Sequence, residues 1–458
     1  MKGFGEKSQS KVKSNSDNKN TLKNNQLLKK AFGLQASGNK KEAAKHYSYL
    51  IQSGFEDYRV YSNYGTFMRE MGKYKEAEQY LRKAIEIKSD FSIAHYNLGF
   101  VLKNLGRLQE SEFHTLISID IDPGLTDAYL SLSTMDLTNN KHNWKSALFS
   151  EVHFRNKKGR ELVNIFFARS NILHKQKQYD ESAQNLIKAN NLKLKMHQSE
   201  VEVLIKKTDK LKLLSEQLEK NVEELPNNPL FIFIVGLPRC GSTLVESIIS
   251  LNNQVKDLGE INIFEESFRE YIQSDKKINI SEIYKKKSGF FKHKYNITTN
   301  KWLFNYQYAG IIANSIPNAK IIHCFRNPLD NILSIYRAHF STGNFFSSSL
   351  TDTAELYCDQ DKIMKTYKKE FKKEIYELDY DKLVTNPVEE LKSLMSWLNF
   401  DWDEKYLSPD LNNRTVLTRS NVEVRSPITS KSVGGWKNYK DMLNPSIEIL
   451  SKNNLYKG

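Results

Sequence analysis

Gly236-Leu237-Pro238-Arg239-Cys240-Gly241-Ser242-Thr243 sets a cation between two glycines and places two hydroxyls behind them. Before it stand the apolar residues Phe231 to Val235, and after it Leu244, Val245, Ile248 and Ile249 recur at helical spacing. A strand, a glycine loop and a helix form the geometry that cradles phosphate. Loop N–H groups and the unbonded N–H groups of the first helical turn point at the anion, and the helix dipole favours negative charge there. A nucleoside triphosphatase would carry Lys after the second glycine. Here that position is Ser242 and the cation is Arg239, which disfavours ATP hydrolysis. Such a loop suits a single 5′-phosphate bearing one more anionic group. The bland alternative is a glycine turn that only joins strand to helix.

Further residues would complete the chemistry. Gly259-Glu260 follows a short predicted strand, Val255 to Leu258. In a parallel sheet the carboxyl ends of strands line the ligand crevice, so Glu260 shares an edge with the loop and can take a proton from an attacking hydroxyl. Glu246, one turn into the helix, is the competing carboxylate, expected to be a surface or helix-packing residue that points away from the loop mouth. Lys301 reads either as a surface lysine or, by the resemblance given next, as an ammonium that offsets charge developing on a leaving phosphate. Ala319 to Phe325 reads as a buried strand and ends at Arg326, with Asn327-Pro328-Leu329-Asp330 opening a helix that carries Ser334. An Arg fork and a hydroxyl grip a phosphate. His323, inside the apolar run, reads as core.

These stretches together resemble sulfotransferases that use 3′-phosphoadenosine 5′-phosphosulfate (PAPS), specifically the tyrosylprotein type and its bacterial repeat-containing relatives. The loop resembles their Pro-Arg-Ser-Gly-Thr-Thr-Leu, with Cys240 and Ser242 as small replacements. Gly259-Glu260 matches a family pair whose Glu is taken as general base. Asn300-Lys301-Trp302-Leu303-Phe304-Asn305 resembles Asp-Lys-x-Pro-x-Asn, departing at Asn300 and Leu303. Arg326 with Ser334 eight residues on resembles the 3′-phosphate motif. The resemblance implies Glu260, Lys301 and Arg239 as catalytic residues. It implies donor contacts from Arg239, Cys240, Gly241, Ser242, Thr243, Arg326 and Ser334, from Tyr380 near the adenine, and from Ser420, Lys431 and Ser432 in a closing segment. It calls for no metal, and no acidic residue follows the strand at 320–325 where it would help to hold Mg²⁺.

Composition sets the frame for these elements. Hydrophobic residues at 39% and charged residues at 27% of 458 fit a folded soluble chain long enough for more than one domain. The net charge of +14 suits an anionic ligand, or equally a lysine-rich composition with solvated side chains. Nucleic-acid binding is a weaker reading, because no recognised motif for it occurs. Cys240, Cys324 and Cys358 have no paired spacing, which suggests a reducing, cytoplasmic setting. No apolar run approaches a membrane span.

In the first half Gly38, Gly72 and Gly106 recur every 34 residues. Ala31, Gly65 and Gly99 share one small-residue position, and Ala43, Ala77 and Ser111 another. Met71 to Ala77 and Ala94 to Gly99 resemble tetratricopeptide repeats. Lys177 to Ala183 mimics the start of a second repeat helix. The expected organisation is a disordered basic tail over 1–24, all-α repeats over 25–190, a helical connector over 191–228 and an α/β domain with a mostly parallel sheet over 229–458. Residues 270–297 read as a helical insertion or mobile lid. The repeats offer a groove for a peptide or protein partner, or a surface for domain packing or a homodimer. The function read from all this is sulfonate transfer from PAPS to a hydroxyl on a protein tyrosine, a carbohydrate or a small alcohol. The alternatives are a kinase-like nucleotide-binding protein and a repeat scaffold with an inactive domain.

Overall fold

A computed structural model describes residues 22–135, 142–218, 229–275, 278–289, 295–340, 343–412 and 427–456. Contacts divide the chain into two units, one up to Ala168 and one from Arg169 onward.

The first unit is helical. Antiparallel pairs are formed by α1 (22–36) with α2 (Lys40–Gln52), α3 (Tyr58–Glu70) with α4 (Tyr74–Ile87), and α5 (Ser92–Asn104) with α6 (Leu108–Ile121). Then come α7 (Thr126–Ser133) and α8 (Trp144–Phe149), and α9 (Arg160–Lys175) runs across the division. In α4 the buried residues Tyr74, Ala77, Leu81 and Ala84 form the apolar stripe of an amphipathic helix. The small-residue positions explain how closely the helices pack. A Cβ on Gly65 would lie 2.9 Å from Leu81 Cγ, and one on Gly99 would lie 2.4 Å from Thr115 Oγ1. Ser111 Oγ donates to Gly99 O at 2.7 Å, so the serine that replaces alanine still ties the pair together. Gly38, Gly72 and Gly106 turn between helices at φ of +82°, +74° and +84°, where a side chain would be strained.

The second unit takes the end of α9 and then α10 (Tyr179–Met196) and α11 (Val201–Glu216). Ser182 Oγ donates to Ser170 O at 2.9 Å, repeating the Ser111–Gly99 contact at the same spacing. Lys177, at φ +62°, takes the turn that glycine makes in the earlier pairs. α11 lies within the unit rather than spanning a gap: Gln307 Nε2 donates to Leu204 O at 2.9 Å and to Thr208 Oγ1 at 3.0 Å.

Five parallel strands follow: β1 (Leu230–Val235), β2 (Val255–Asp257), β3 (Ile297–Asn300), β4 (Ala319–Phe325) and β5 (Ile375–Asp379). Their order across the sheet is β2-β3-β1-β4-β5. Between them run α12 (Ser242–Ile249), α13 (Ile263–Gln273), α14 (Ile280–Lys287), α15 (Ala309–Ser315), α16 (Pro328–Arg337) and α17 (Leu350–Glu370), and after β5 come α18 (Tyr380–Thr385), α19 (Pro387–Trp397) and α20 (Lys440–Lys452). One face of β1 packs Ile232 and Ile234 against α12 and α19 residues such as Val245, Ile248 and Leu391. On the other face Phe231 and Phe233 meet Tyr284 of α14, with ring centroids 5.5 and 5.4 Å apart. The described part of 270–297 therefore carries the expected helical insertion, α14, and this packs on the core through Tyr284, buried beneath the sheet, rather than forming a lid. Residues 276–277 and 290–294 lie outside the description.

Candidate active site

Parallel pairing brings every strand's carboxyl end to one edge. Read in sheet order, that edge carries Glu260 beyond β2, Lys301 beyond β3, the glycine loop beyond β1, Arg326 beyond β4 and Tyr380 beyond β5. β1 has β3 and β4 as its neighbours, so Lys301 and Arg326 flank the loop from opposite sides. A crevice at such an edge, where strand order reverses, is where open α/β sheets bind ligands.

The loop is tight because its neighbours leave no room. A Cβ on Gly236 would lie 2.4 Å from Cys324 O. A Cβ on Gly241, at φ +94°, would lie 2.1 Å from the Tyr380 ring. Gly241 caps α12 without a side chain, leaving the first-turn N–H groups to face the crevice. Asn331 Nδ2 donates to Pro238 O at 2.9 Å and pins the loop to α16. Arg239 adopts φ +68°, an uncommon conformation for a non-glycine residue, and donates from Nε to Ser334 Oγ at 3.1 Å. Ser242 and Thr243 are buried at the start of α12. The Cys240 thiol turns into the core beside Cys324, so this residue presents its backbone rather than its side chain to the crevice.

Lys301 is buried between two carboxylates. Its Nζ lies 2.6 Å from Glu260 Oε1 and 3.8 Å from Glu246 Oε2. Glu246 does not point away to the surface: its side chain is 2% exposed and accepts from Thr299 Oγ1 at 3.3 Å. The Glu260 side chain is 46% exposed. Lys301 N donates to Gly259 O at 2.9 Å and couples the two strand ends. Asn300, where the family pattern has Asp, accepts through Oδ1 from Trp302 N at 3.1 Å and Asn305 Nδ2 at 3.0 Å. An amide oxygen performs that turn as a carboxylate would, and Nδ2 adds a donation to Ile261 O at 3.0 Å.

On the other side Arg326 is 6% exposed. Its Nη2 donates to Ser432 O at 2.9 Å, and its guanidinium carbon sits 4.8 Å from the Tyr380 ring centroid. Asp381 Oδ1 lies 3.7 Å from Arg326 Nε, and burial pushes the Asp381 carboxyl above its ordinary range. Asp330, on α16, accepts from Gly434 N at 2.7 Å and Trp436 N at 2.9 Å, so 434–436 is strapped over this end of the crevice. The strap is held further along by Tyr439, whose hydroxyl lies 2.8 Å from His174 Nδ1 and 2.9 Å from Ser182 Oγ.

Comparison with known proteins matches part of this edge to a family. The model of the Sulfotransferase family matches residues 280–404, and that of the TPR repeat matches 68–106. The chain carries a sulfotransferase-family domain behind tetratricopeptide repeats. It is 28% identical over 312 residues to an uncharacterised protein of Aquifex aeolicus (strain VF5), a match covering 62% of this chain and 41% of that one. The chain thus spans about two-fifths of the length of the curated relative it matches. Among solved structures it is similar to the sulfotransferase domain of the Synechococcus PCC 7002 olefin synthase, at 15% identity and a TM-score of 0.37, covering 52% of this chain and all of that one. A sulfotransferase domain from the curacin biosynthetic pathway gives 15% identity and a TM-score of 0.35, covering 50% and 98%.

The edge brings together Arg239, Gly241, Ser242, Thr243, Glu260, Lys301, Arg326, Ser334, Tyr380 and Ser432, of which Lys301, Arg326, Ser334 and Tyr380 fall within the matched residues 280–404. Lys431 is exposed beside Ser432. Ser420 lies outside the described residues. His323 is core: its Nε2 lies 2.8 Å from Gln360 Nε2, and burial lowers its pKa to about 3. Sequence reasoning missed Asp330, Asn331 and Asp381, although Asp330 stands inside the motif that carries Arg326. The residues also fit an anionic donor. Arg326 Nε is buried with no hydrogen-bond partner among the described residues, Asp381 Oδ1 standing beyond hydrogen-bond reach at 3.7 Å, and a phosphate oxygen is an acceptor that would suit this guanidinium. No group of three or more His, Cys, Asp or Glu able to hold a metal ion occurs among the described residues.

Proposed function

We propose that this chain transfers a sulfonate group from PAPS to a hydroxyl acceptor. The observation that carries the reading is the order along the sheet edge: a carboxylate and a buried ammonium on one side of an anion loop, and a buried guanidinium on the other. The donor, when bound, supplies a sulfonate on a phosphate leaving group. Arg239, Ser242, Thr243 and the loop N–H groups would hold its 5′ end. Arg326 and Ser334 would hold its 3′ end, under the strap carrying Lys431 and Ser432, with Tyr380 near the base. Glu260, exposed enough to meet an acceptor, takes the hydroxyl proton as attack proceeds. Lys301 and Arg239 offset charge developing on the leaving oxygen. The acceptor is a protein tyrosine, a carbohydrate or a small alcohol, and the repeats would present a peptide or protein partner. A homodimer is one further use of that surface. All three cysteines are free thiols, which supports a cytoplasmic setting, and no helix among the described residues is long and apolar enough to cross a membrane.

The test is calorimetry with 3′-phosphoadenosine 5′-phosphate (PAP) and with ATP, followed by an acceptor screen using labelled PAPS. PAP is expected to bind more tightly; tighter ATP binding would sink the reading. Glu260→Gln keeps the shape and removes the base, so transfer should slow by roughly 10²–10⁴-fold while PAP binding survives.

A further inference from the structure

Beside Lys301 stands a buried charge that the proposed mechanism does not use. Glu246 sits on α12, below the anion loop, and its carboxylate faces Lys301. At 2% exposure it cannot meet an acceptor hydroxyl, so it is no substitute for Glu260. We propose that Glu246 is a positioning residue that holds the Lys301 side chain in place while Glu260 turns away to take the acceptor's proton; this rests on the sulfonate-transfer reading above.

Charge balance leads to this role. Lys301 is 1% exposed, and an ammonium so deep needs a counter-charge in every state of the reaction. At rest Glu260 supplies one at 2.6 Å. A carboxylate held that closely by an ammonium is not available as a base. To work, Glu260 must rotate toward the acceptor, and once it accepts the proton its charge is gone. The thiols of Cys240 and Cys324 also lie near enough to feel Lys301. Among the described residues Glu246 is then the remaining carboxylate in ion-pair range of the ammonium.

The geometry suits the task. Glu246 belongs to a helix packed under the sheet, and Thr299 of β3 donates to its Oε1 at 3.3 Å. β3 also delivers Lys301, so both partners ride on fixed elements. At 3.8 Å the Glu246 oxygen attracts Nζ without the close contact that would keep it from turning to a leaving oxygen. Glu260 follows Gly259, at φ +69°, on the exposed side, and is free to swing.

A double-mutant cycle tests this in the full-length protein. The readout is single-turnover cleavage of PAPS to PAP and sulfate with water as acceptor, which needs no knowledge of the natural acceptor. PAP affinity and thermal midpoint are measured alongside. Lys301→Met should slow cleavage by roughly 10²–10³-fold, the loss typical of a direct electrostatic stabiliser, and Glu246→Gln by roughly tenfold or more. The double variant should be no slower than Lys301→Met alone, because Glu246 acts through that lysine. Glu246→Asp, which keeps the charge, should recover most of the rate, and it takes the place of Glu246→Gln in the cycle if the latter folds poorly. PAP affinity should stay near wild type in all the Glu246 variants. Multiplying losses in the double variant, or an Asp variant no better than Gln, would overturn the role of Glu246 alone. A wild-type protein that neither binds PAP nor cleaves PAPS would overturn sulfonate transfer, and this role with it.

Discussion

Arg239 Nε donates to Ser334 Oγ across 3.1 Å, joining the loop after β1 to the helix after β4. The two residues assigned to opposite ends of the donor therefore form one hydrogen-bonded unit. Ser334 is where the Arg239 side chain rests, on a backbone that already carries the strain of a left-handed φ.

Ser334→Ala should therefore weaken both ends of the grip. A hydrogen bond to a charged group contributes about 1.5–3 kcal/mol, so PAP affinity should fall roughly 10–100-fold. The informative control is adenosine 5′-phosphate, which lacks the 3′-phosphate. If Ser334 served that phosphate only, binding of the control would not change. Because Ser334 also orients Arg239, calorimetry should show the control weakened as well. An unchanged control would leave the contact without consequence.

Asp330 makes a second prediction. Its carboxylate accepts from two backbone N–H groups of the strap, and the strap places Ser432 O on Arg326. Asp330→Ala orphans both donors, a cost of about 1–3 kcal/mol for each that stays buried. The cheaper response is for the strap to lift into water. Amide exchange in residues 431–439 should then quicken while exchange in β1 and β4 stays slow, and PAP affinity should drop. Unchanged exchange in the strap would mean that Tyr439 and the Arg326–Ser432 contact hold it without Asp330.

Why some of this was legible in the sequence is a matter of range. β1 and β4 are continuous apolar runs because both faces are covered, and such runs are visible without neighbours. The edge rule then placed Glu260 and Arg326 beside the loop. β3 gave no such signal: Ile297-Thr298-Thr299-Asn300 has one apolar residue, yet it lies between β2 and β1 with Thr298 and Thr299 buried. Missing that strand is also why Glu246 was turned the wrong way. A helix wheel puts Glu246 on α12, but only β3 shows that the lysine lies above it. The strap anchors are further still, since Tyr439 meets His174 across 265 positions of sequence, a pairing no local pattern reveals.

The last prediction concerns acid. Burial lowers the pKa of His114 and His174 to about 4 and that of His323 to about 3, with Arg337 and Lys175 adding to the effect at His174. An unfolded histidine takes its proton near 6.5. Between those values the unfolded chain binds protons that the folded chain refuses, so stability falls as pH falls. The stabilisation is fully present above about 6.5 and is lost as pH drops toward 4. His174 also links this window to the site. Arg337 has only donors to offer, so its Nη1, 3.1 Å away, donates to His174 Nε2, and the proton on Nδ1 points to Tyr439. A protonated ring cannot accept from Arg337, and two cations then face each other beneath the strap. The thermal midpoint should be flat above neutral pH and decline steadily from about 6.5 to 4, whereas PAP affinity of the folded protein should hold until the pH nears about 4, where the folded His174 takes its proton. His174→Gln should make PAP affinity less sensitive to acid, while the decline in midpoint persists through His114 and His323. If the variant loses PAP affinity with acid as steeply as the wild type does, His174 is not the group that loosens the strap.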